Sequence, residues 1–439
     1  MNTKHLKARI LDLALQGKLV ENSRIPNDLN SRIPSDFNPP FEIPDSWQWV
    51  KLGDICEIIR GGSPRPIKEF LTTKNNGLNW IKISDSDIGG KYIISAKEKI
   101  IKEGLSKTRF IKSGSLLLTN SMSFGRPYIL KIDGCIHDGW LVLNNFEKFA
   151  YIDFLYFLIS SDFIQKSFRF SASGSTVNNL TTDKVKTTYI PLPPKDEQEK
   201  IVKKIDELFS QIDILETSKQ SLLKNIKHTK ARILDLALQG KLVENSRIPN
   251  DVKSRIPSDF NPPFEIPNSW AWVKLGDICE ISSGGTPSRN EAEFWENGTI
   301  PWLKIADIKD DYVNSSSEFI TQKGLENSSA KIFKKGTLLF TIFATLGEVA
   351  ILNIDASTNQ AIVGLTPKKD NYITKFIFFA LKNIKNSVNL IGRGATQKNI
   401  NQTILKNFYI PLPPLDEQEK IVKKIDELFE ILEVIENSL

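Results

Sequence analysis

The sequence predicts an α+β protein: two mixed α/β domains separated by long antiparallel coiled-coil helices, with internal pseudo-twofold, circular symmetry. Three observations predict it. Residues 7–58 recur at 230–281, changed only where Leu29, Asn30, Asp45 and Gln48 become Val252, Lys253, Asn268 and Ala271. A second block, YIPLPP followed by DEQEKIVKKIDELF, stands at 189–194 and 196–209 and again at 409–414 and 416–429. Between these blocks the inserts 59–188 and 282–408 have diverged almost completely. Uniform drift would blur frame and insert alike, so the pattern reads as one scaffold holding two different heads.

The scaffold reads as helical. Ile201, Ile205, Leu208, Ile212, Leu215, Leu222, Ile226, Ile233 and Leu236 follow alternating four- and three-residue steps, with Lys219 and Thr229 at the two skipped positions, a heptad seam. Ile421, Ile425, Leu428, Leu432 and Ile435 repeat it, and Leu6, Ile10 and Leu13 carry it at the N-terminus. Asp196 and Asp416 are the expected N-caps and Gly17 and Gly240 the expected stops. By the repeat offsets, residue 1 corresponds to 224 and residue 439 to 219. The two terminal helices in series would therefore rebuild the central one, and the central and C-terminal helices are expected to pair antiparallel. The expected divisions are an N-terminal scaffold helix (1–20), a first head (41–194), a central spacer helix (195–243), a second head (264–414) and a C-terminal helix (415–439).

The inserts share a skeleton. GGSP at 61–64 answers GGTP at 284–287, WIKISD at 80–85 answers WLKIAD at 302–307, and GSLLLT at 114–119 answers GTLLFT at 336–341. Short apolar runs bounded by Gly, Pro, Asn and Ser read as strands and turns. Residues 151–168 and 373–388 read as helices, and the apolar run Leu338 to Leu352, which contains Glu348, reads as core.

Composition bounds the function. The 439 residues carry a net charge of +6, which permits nucleic-acid binding without demanding it. Counting gives about +6 for residues 45–194 and about +3 for 268–414. Three cysteines, Cys56, Cys135 and Cys279, point away from a disulfide framework and towards a reducing cytosol. No segment reaches the ~18 apolar residues of a membrane span, and the charged, amphipathic N-terminus does not read as a leader. A cytoplasmic protein without a membrane partner is expected.

At this point the order of parts resembles a known family, the specificity (S) subunits of type I restriction-modification systems. FEIPDSWQWVKLGDI at 41–55 and FEIPNSWAWVKLGDI at 264–278 open the variable domains; IPLPPKDEQEKIVKKIDELF and IPLPPLDEQEKIVKKIDELF close them. The resemblance covers essentially the whole chain. It implies two target-recognition domains, each reading one half of a bipartite asymmetric site in double-stranded DNA. It also implies helices that act as spacer and as docking surface for methyltransferase (M) subunits, joined by restriction (R) subunits. It implies no catalysis by this chain.

Other chemistry fits the residues less well. NPPF at 38–41 and 261–264 looks like the catalytic tetrapeptide of DNA N6-adenine methyltransferases. No Gly-rich cofactor loop or βαβ alternation surrounds either copy, so a Pro-rich linker is the better reading. His5, His137, His228 and the cysteines lack metal-ligand spacing, and no metal or cofactor is expected. DSDIGG at 85–90 starts like a calcium loop but lacks its closing Glu. His137–Asp138 reads as a polar loop without counterpart in the second head. No P-loop is present, so any ATP-driven work belongs to a partner. A coiled-coil adaptor without DNA specificity is the remaining alternative, and it would need no divergent heads.

DNA reading needs cations for phosphates and forked donors for base edges, placed in loops that differ between the heads. The candidates in the first head are Arg65, Lys68, Arg126, Ser173, Ser175, Asn178 and Asn179. In the second they are Ser288, Arg289, Asn290, Asn359, Gln360, Arg393, Thr396, Gln397, Lys398 and Asn399. SASGSTVNN and GRGATQKN occupy matching places before the closing strands, which favours a shared functional loop.

Overall fold

The computed structural model describes residues 3–24, 37–120, 125–172, 179–247, 260–343, 345–369, 372–383 and 401–439. The chain divides into two compact units, Met1–Ser218 and Lys219–Leu439. The division falls inside one 44-residue helix, Lys195–Leu238.

The first unit opens with the helix Thr3–Leu15, which buries Ile10, Leu11, Ala14 and Leu15. Its end is set by Gly17 at φ +66°: the N–H of Gly17 donates to Ala14 and that of Lys18 to Leu13, the paired bonds of a Schellman stop. A β-carbon at Gly17 would lie 2.3 Å from Pro44 Cγ, so contact as well as conformation selects glycine. The second unit repeats this at Gly240, with φ +67° and Pro267 as the neighbour.

Each unit closes on a helix pair of its own. Thr3 Oγ1 donates to Glu216 at 3.1 Å and Lys7 pairs with Asp213 at 2.5 Å, so the N-terminal helix runs antiparallel to the first part of the long helix. Lys230 pairs with Glu436 at 3.1 Å and Lys219 Nζ donates to the Leu439 carbonyl at 2.5 Å, which sets the rest of the long helix against the helix Leu415–Asn437. The expected pairing of central and C-terminal helices is thus confined to the second unit; the first unit uses the N-terminal helix instead.

The heptad seam is buried near each head and surfaces in mid-helix. Ile201, Ile205 and Ile212 are buried, and Leu208 packs on the same cluster as Ile10 and Ala14. Ile421 and Ile425 are fully buried, with Leu428 and Leu432 against the second core. Leu215, however, is 54% exposed and Ile435 38%. Between Ile212 and Ile226 no residue is buried. Periodicity alone cannot report this, because a seam is covered only where a partner lies over it.

Neither Asp196 nor Asp416 is an N-cap. Pro194 and Pro414 hold that position, their carbonyls accepting the first helical N–H groups. The aspartates lie one turn-step inside, where the helix dipole favours negative charge. The neighbouring Glu and Gln explain the frozen DEQEK block. Glu197 is fully buried; one carboxylate oxygen accepts Trp47 Nε1–H at 2.9 Å and the other the Ser23 N–H at 2.9 Å. Gln198 accepts the Tyr151 N–H and donates to Phe149 and Pro193 carbonyls. Glu417 repeats the first arrangement with Trp270 and Ser246, and Gln418 the second with Ile373 and Pro413. These two side chains stitch linker, head and helix together in each unit.

Among the described residues, each head has two main sheets and a two-stranded closure. The closures pair Gln48–Lys51 with Tyr189–Leu192, and Ala271–Lys274 with Tyr409–Leu412. One main sheet has the same strand order in both: Glu57–Arg60, Trp140–Asn144, Leu116–Thr119, Pro127–Leu130, Tyr92–Ile93, answered by Cys279–Ser283, Ile362–Pro367, Leu338–Thr341, Val349–Leu352, Tyr312–Val313. The run Leu338 to Leu352 is therefore two buried strands. The second sheet orders Leu71–Thr72, Glu98–Ile100, Leu78–Ile81, Gly134–Ile136, Arg109–Ile111; its counterpart lacks the first of these strands. Helix 151–168 is broken at Ser161 into Ile152–Ser160 and Asp162–Ala172, and the second head carries a helix at 374–383.

Candidate nucleic-acid interface

The motif shared by the diverged inserts, GG followed by Ser or Thr and Pro, brings distant segments together. In the first unit the N–H of Gly61 donates to Trp140 and that of Gly62 to Ile136. Gly284 and Gly285 do the same to Ile362 and Thr358. A β-carbon at Gly61 would meet the His137 carbonyl oxygen at 2.2 Å, and one at Gly284 the Thr358 oxygen at 2.1 Å. Glycine is needed because backbone lies against backbone. The segment it presses on is the turn between strands Gly134–Ile136 and Trp140–Asn144, or between Ala356–Thr358 and Ile362–Pro367.

The hydroxyl after the glycines then reaches that turn. Ser63 Oγ donates to Asp138 Oδ1 at 2.9 Å; Thr286 Oγ1 donates to Gln360 Oε1 at 2.5 Å. One residue earlier, His137 Nδ1 accepts the Gly139 N–H at 2.9 Å, and Asn359 Oδ1 accepts the Ala361 N–H at 3.1 Å. His137–Asp138 therefore has a counterpart, contrary to the sequence expectation: it is Asn359–Gln360. The match was hidden because the residue types differ, while the shared GG-Ser/Thr-Pro motif pointed to the partner strand.

Electrostatics separates the two turns. Arg60 Nε donates to the Asp138 carbonyl at 3.0 Å and Arg65 approaches its carboxylate at 3.6 Å. Burial works against ionisation of Asp138, but the Ser63 hydrogen bond and the nearby cations outweigh it and hold the carboxyl below its usual pKa. Burial, reinforced by the charges of Lys82, Arg65 and Arg60, lowers His137 below its usual value despite Asp138. His137 Nδ1 also lies 3.0 Å from Asp138 Oδ1. The lowered pKa favours the neutral ring, with Nδ1 set between the Gly139 N–H and the Asp138 carboxylate. The second unit has Ser283 and Ser288 where the first has Arg60 and Arg65.

The other candidates fall around these turns. Asn120, at the end of strand Leu116–Thr119, donates to the Asp138 carbonyl at 2.8 Å and accepts the Leu180 N–H, which ties Asn179 and the end of SASGSTVNN to the same place. In the second unit Gln402, just after GRGATQKN, donates to Ser283 Oγ beside Gly284. Arg65 is 82% exposed, and Lys68 is exposed on a short 3-10 turn. Arg126 is half-buried and its backbone brackets Thr119, next to Asn120. Ser288 and Asn290 are exposed. Arg289 is engaged: its guanidinium lies 3.6 Å from the Trp295 ring centroid and pairs with Glu318 at 2.6 Å. Ser173, Ser175, Asn178, Arg393, Thr396, Gln397, Lys398 and Asn399 lie outside the described residues.

Among the described residues the motifs of the rival chemistries serve other purposes. Asn38 is exposed while Phe41 packs on Trp49 and Phe163, and Phe264 on Trp272, so NPPF builds an aromatic wall and not a base pocket. Asp85 accepts the N–H groups of Lys82 and Lys97. Burial pushes the thiols of Cys56 and Cys279 up to about 12 and that of Cys135 to about 11, far from a reactive thiolate. Among the described residues no group of three His, Cys, Asp or Glu is set to hold a metal, and no helix is long and apolar enough to cross a membrane.

The chain is thus a duplicated helix-and-head unit with one anchored turn per head. The chain belongs to the family described as the type I restriction modification DNA specificity domain, matched at residues 44–224 and 267–439. It is 33% identical to the type I restriction enzyme MjaIX specificity subunit of Methanocaldococcus jannaschii, over 38% of this chain and 40% of that protein. With the putative MjaX specificity subunit of the same organism it shares 26% identity over 90% of this chain and 89% of the relative. The crystal structure of the HsdS subunit from Thermoanaerobacter tengcongensis has the same fold, with a TM-score of 0.60 at 23% identity, covering 91% of this chain and 93% of that one.

Proposed function

We propose that this chain is the non-catalytic subunit that gives a type I restriction-modification complex its DNA specificity. Each head reads one half of a bipartite, asymmetric duplex site, and the scaffold helices carry methyltransferase and restriction subunits to it. The carrying observation is the turn locked by the glycine motif: the same backbone lock in both heads presents Asp138 in one and Gln360 in the other. An adaptor has no use for a fixed mount with different polar groups on it. Base readout needs that, since groove edges are distinguished by donor and acceptor pattern. A structural neighbour described as the structural basis of complex assembly and conformational transition of the type I R-M system, with a TM-score of 0.62 at 23% identity over 91% of this chain and 94% of that one, supports the fold side of this reading.

The repeat offsets support a further part of it: the two units are related by pseudo-twofold, circular symmetry and the helices set the distance between half-sites. The test of the whole reading is methylome sequencing of cells expressing this chain with its methyltransferase subunits. The expected motif is bipartite and non-palindromic with an undefined spacer. A continuous motif, or no sequence-specific methylation, overturns it. Inserting ~4 residues near Gln220 lengthens the helix by ~6 Å and should widen the spacer by roughly two base pairs if the heads move along the DNA axis. An unchanged spacer in an active complex refutes the ruler.

A further inference from the structure

The two locked turns differ in a way that assigns roles to single residues. His137 and Asn359 each turn an acceptor atom back onto the N–H two residues on, His137 at 2.9 Å and Asn359 at 3.1 Å. They hold the turn. Asp138 and Gln360 each receive one hydroxyl hydrogen bond, from Ser63 and Thr286, which fixes one end of a forked polar group. Gln360 is exposed, which leaves its Nε2 open to a ligand; the Asp138 side chain keeps 30% of its surface accessible, and its Oδ2 faces only the exposed Arg65 at 3.6 Å, a loose pair that leaves room for a base edge. The surroundings change together with the fork. Asp138 has Arg60 and the 82% exposed Arg65 beside it, cations suited to phosphate; the corresponding Ser283 and Ser288 are neutral.

We infer that Asp138 and Gln360 are the specificity-determining residues of the two heads, each reading one base edge of its half-site, with His137 and Asn359 as positioning residues. The inference rests on the DNA-specificity reading above and adds the chemistry of the base. Ionised Asp138 only accepts hydrogen bonds, so it selects a base presenting an exocyclic amine, cytosine N4 or adenine N6. Gln360 has its Oε1 occupied by the Thr286 hydroxyl and offers the Nε2 donors, so it selects an acceptor edge, guanine O6 and N7 or thymine O4. The mounts are equivalent, so the two forks differ in preference because of their atoms and not their placement.

The experiment uses the full chain with its methyltransferase subunits, mapping the methylated motif for the wild type, D138N, D138Q and Q360E. D138N keeps shape and removes the charge. It should relax one position of the first half-motif, with the preference for an amine-bearing base falling on the order of ten- to hundred-fold, while the second half-motif stays as in the wild type. Q360E should move one position of the second half-motif towards an amine-bearing base and leave the first half alone. If a variant complex methylates too slowly to map, its binding to duplexes carrying each of the four bases at each mapped position gives the same answer. Flattening at one position supports the assignment, and an unchanged preference profile overturns it. Absence of any sequence-specific wild-type motif would defeat the DNA-specificity reading itself; a wild-type bipartite motif unmoved by all three variants defeats only this assignment.

Discussion

The first unit ends its glycine-locked turn in a charged group and the second in a neutral one, although nearly everything holding the turn is shared. Both use two glycines pressed on backbone, a hydroxyl and a short acceptor that closes the turn. Around that mount the first unit gathers Arg60 and Arg65. The second gathers neutral groups at those places and puts its arginine, Arg289, into a cage of Trp295, Trp302 and Glu318. The cage is built on a pair both units own: Lys82 with Glu98 at 2.5 Å answers Lys304 with Glu318 at 2.5 Å. The comparison teaches that at this turn the heads differ by side chains on a shared backbone mount, so the turn can change its chemistry without disturbing the scaffold.

The largest test removes the comparison altogether. Replacing 282–408 with a second copy of 59–188 should convert the methylated motif into two inverted copies of the first half-site. A motif that keeps its second half would show that the insert does not carry specificity.

Next comes the scaffold lock, where the two units should behave alike. Glu197→Ala leaves the buried Trp47 Nε1–H without its acceptor and takes one from the part-buried Ser23 N–H, and should cost about 2–4 kcal/mol. Glu417→Ala should do the same in the second unit, and chemical denaturation of each variant measures it. An exposed-residue cost, below about 0.5 kcal/mol, would contradict the stitching role.

A smaller effect should follow from crowding the mount. Gly61→Ala forces a methyl onto the His137 carbonyl, while Gly89→Ala meets nothing within 4 Å but strains a φ of +87°. Gly61→Ala should cost about 1–3 kcal/mol and degrade only the first half-motif; Gly89→Ala should leave the motif intact. Arg289→Ala should cost no more than about 1–2 kcal/mol through the lost stacking and ion pair, since the site stays half exposed. If it abolishes second-half recognition outright, Arg289 reads DNA and the cage is only its resting place.

The smallest effect is a pH slope confined to the first unit. The folded pKa of His137 is below 6.5, so between the two values the unfolded chain binds more protons and stability rises with pH. The stabilisation by the neutral ring is complete above pH 6.5 and fades as pH falls through the folded value. His137→Asn, which installs the second unit's residue, should lose that slope, measured as the difference in melting temperature from wild type between pH 7.5 and 5. Parallel curves would mean that His137 does not couple to folding.

Much of this was legible before any coordinates. The repeat, the helical scaffold, the stops at Gly17 and Gly240 and the two-headed organisation follow from local pattern, because helix periodicity and glycine conformation are properties of neighbouring residues. Asn359 and Gln360 stand out in the sequence as DNA-binding candidates. Their counterparts His137 and Asp138 read from the sequence as a polar loop with no match in the second head, because equivalence between turns is set by strand pairing and not by residue type. The seam is exposed at Leu215 and Ile435, since periodicity names a face without saying what covers it. The N-caps were displaced from Asp196 and Asp416 to the prolines, whose carbonyls accept the first helical N–H groups. What the sequence by itself determined is therefore the repeated scaffold and the divergence of its heads. Only the tertiary structure decided which residues meet at the turn, because a hydroxyl at 63 and a carboxylate at 138 become neighbours only when two strands and two glycines bring their backbones into contact.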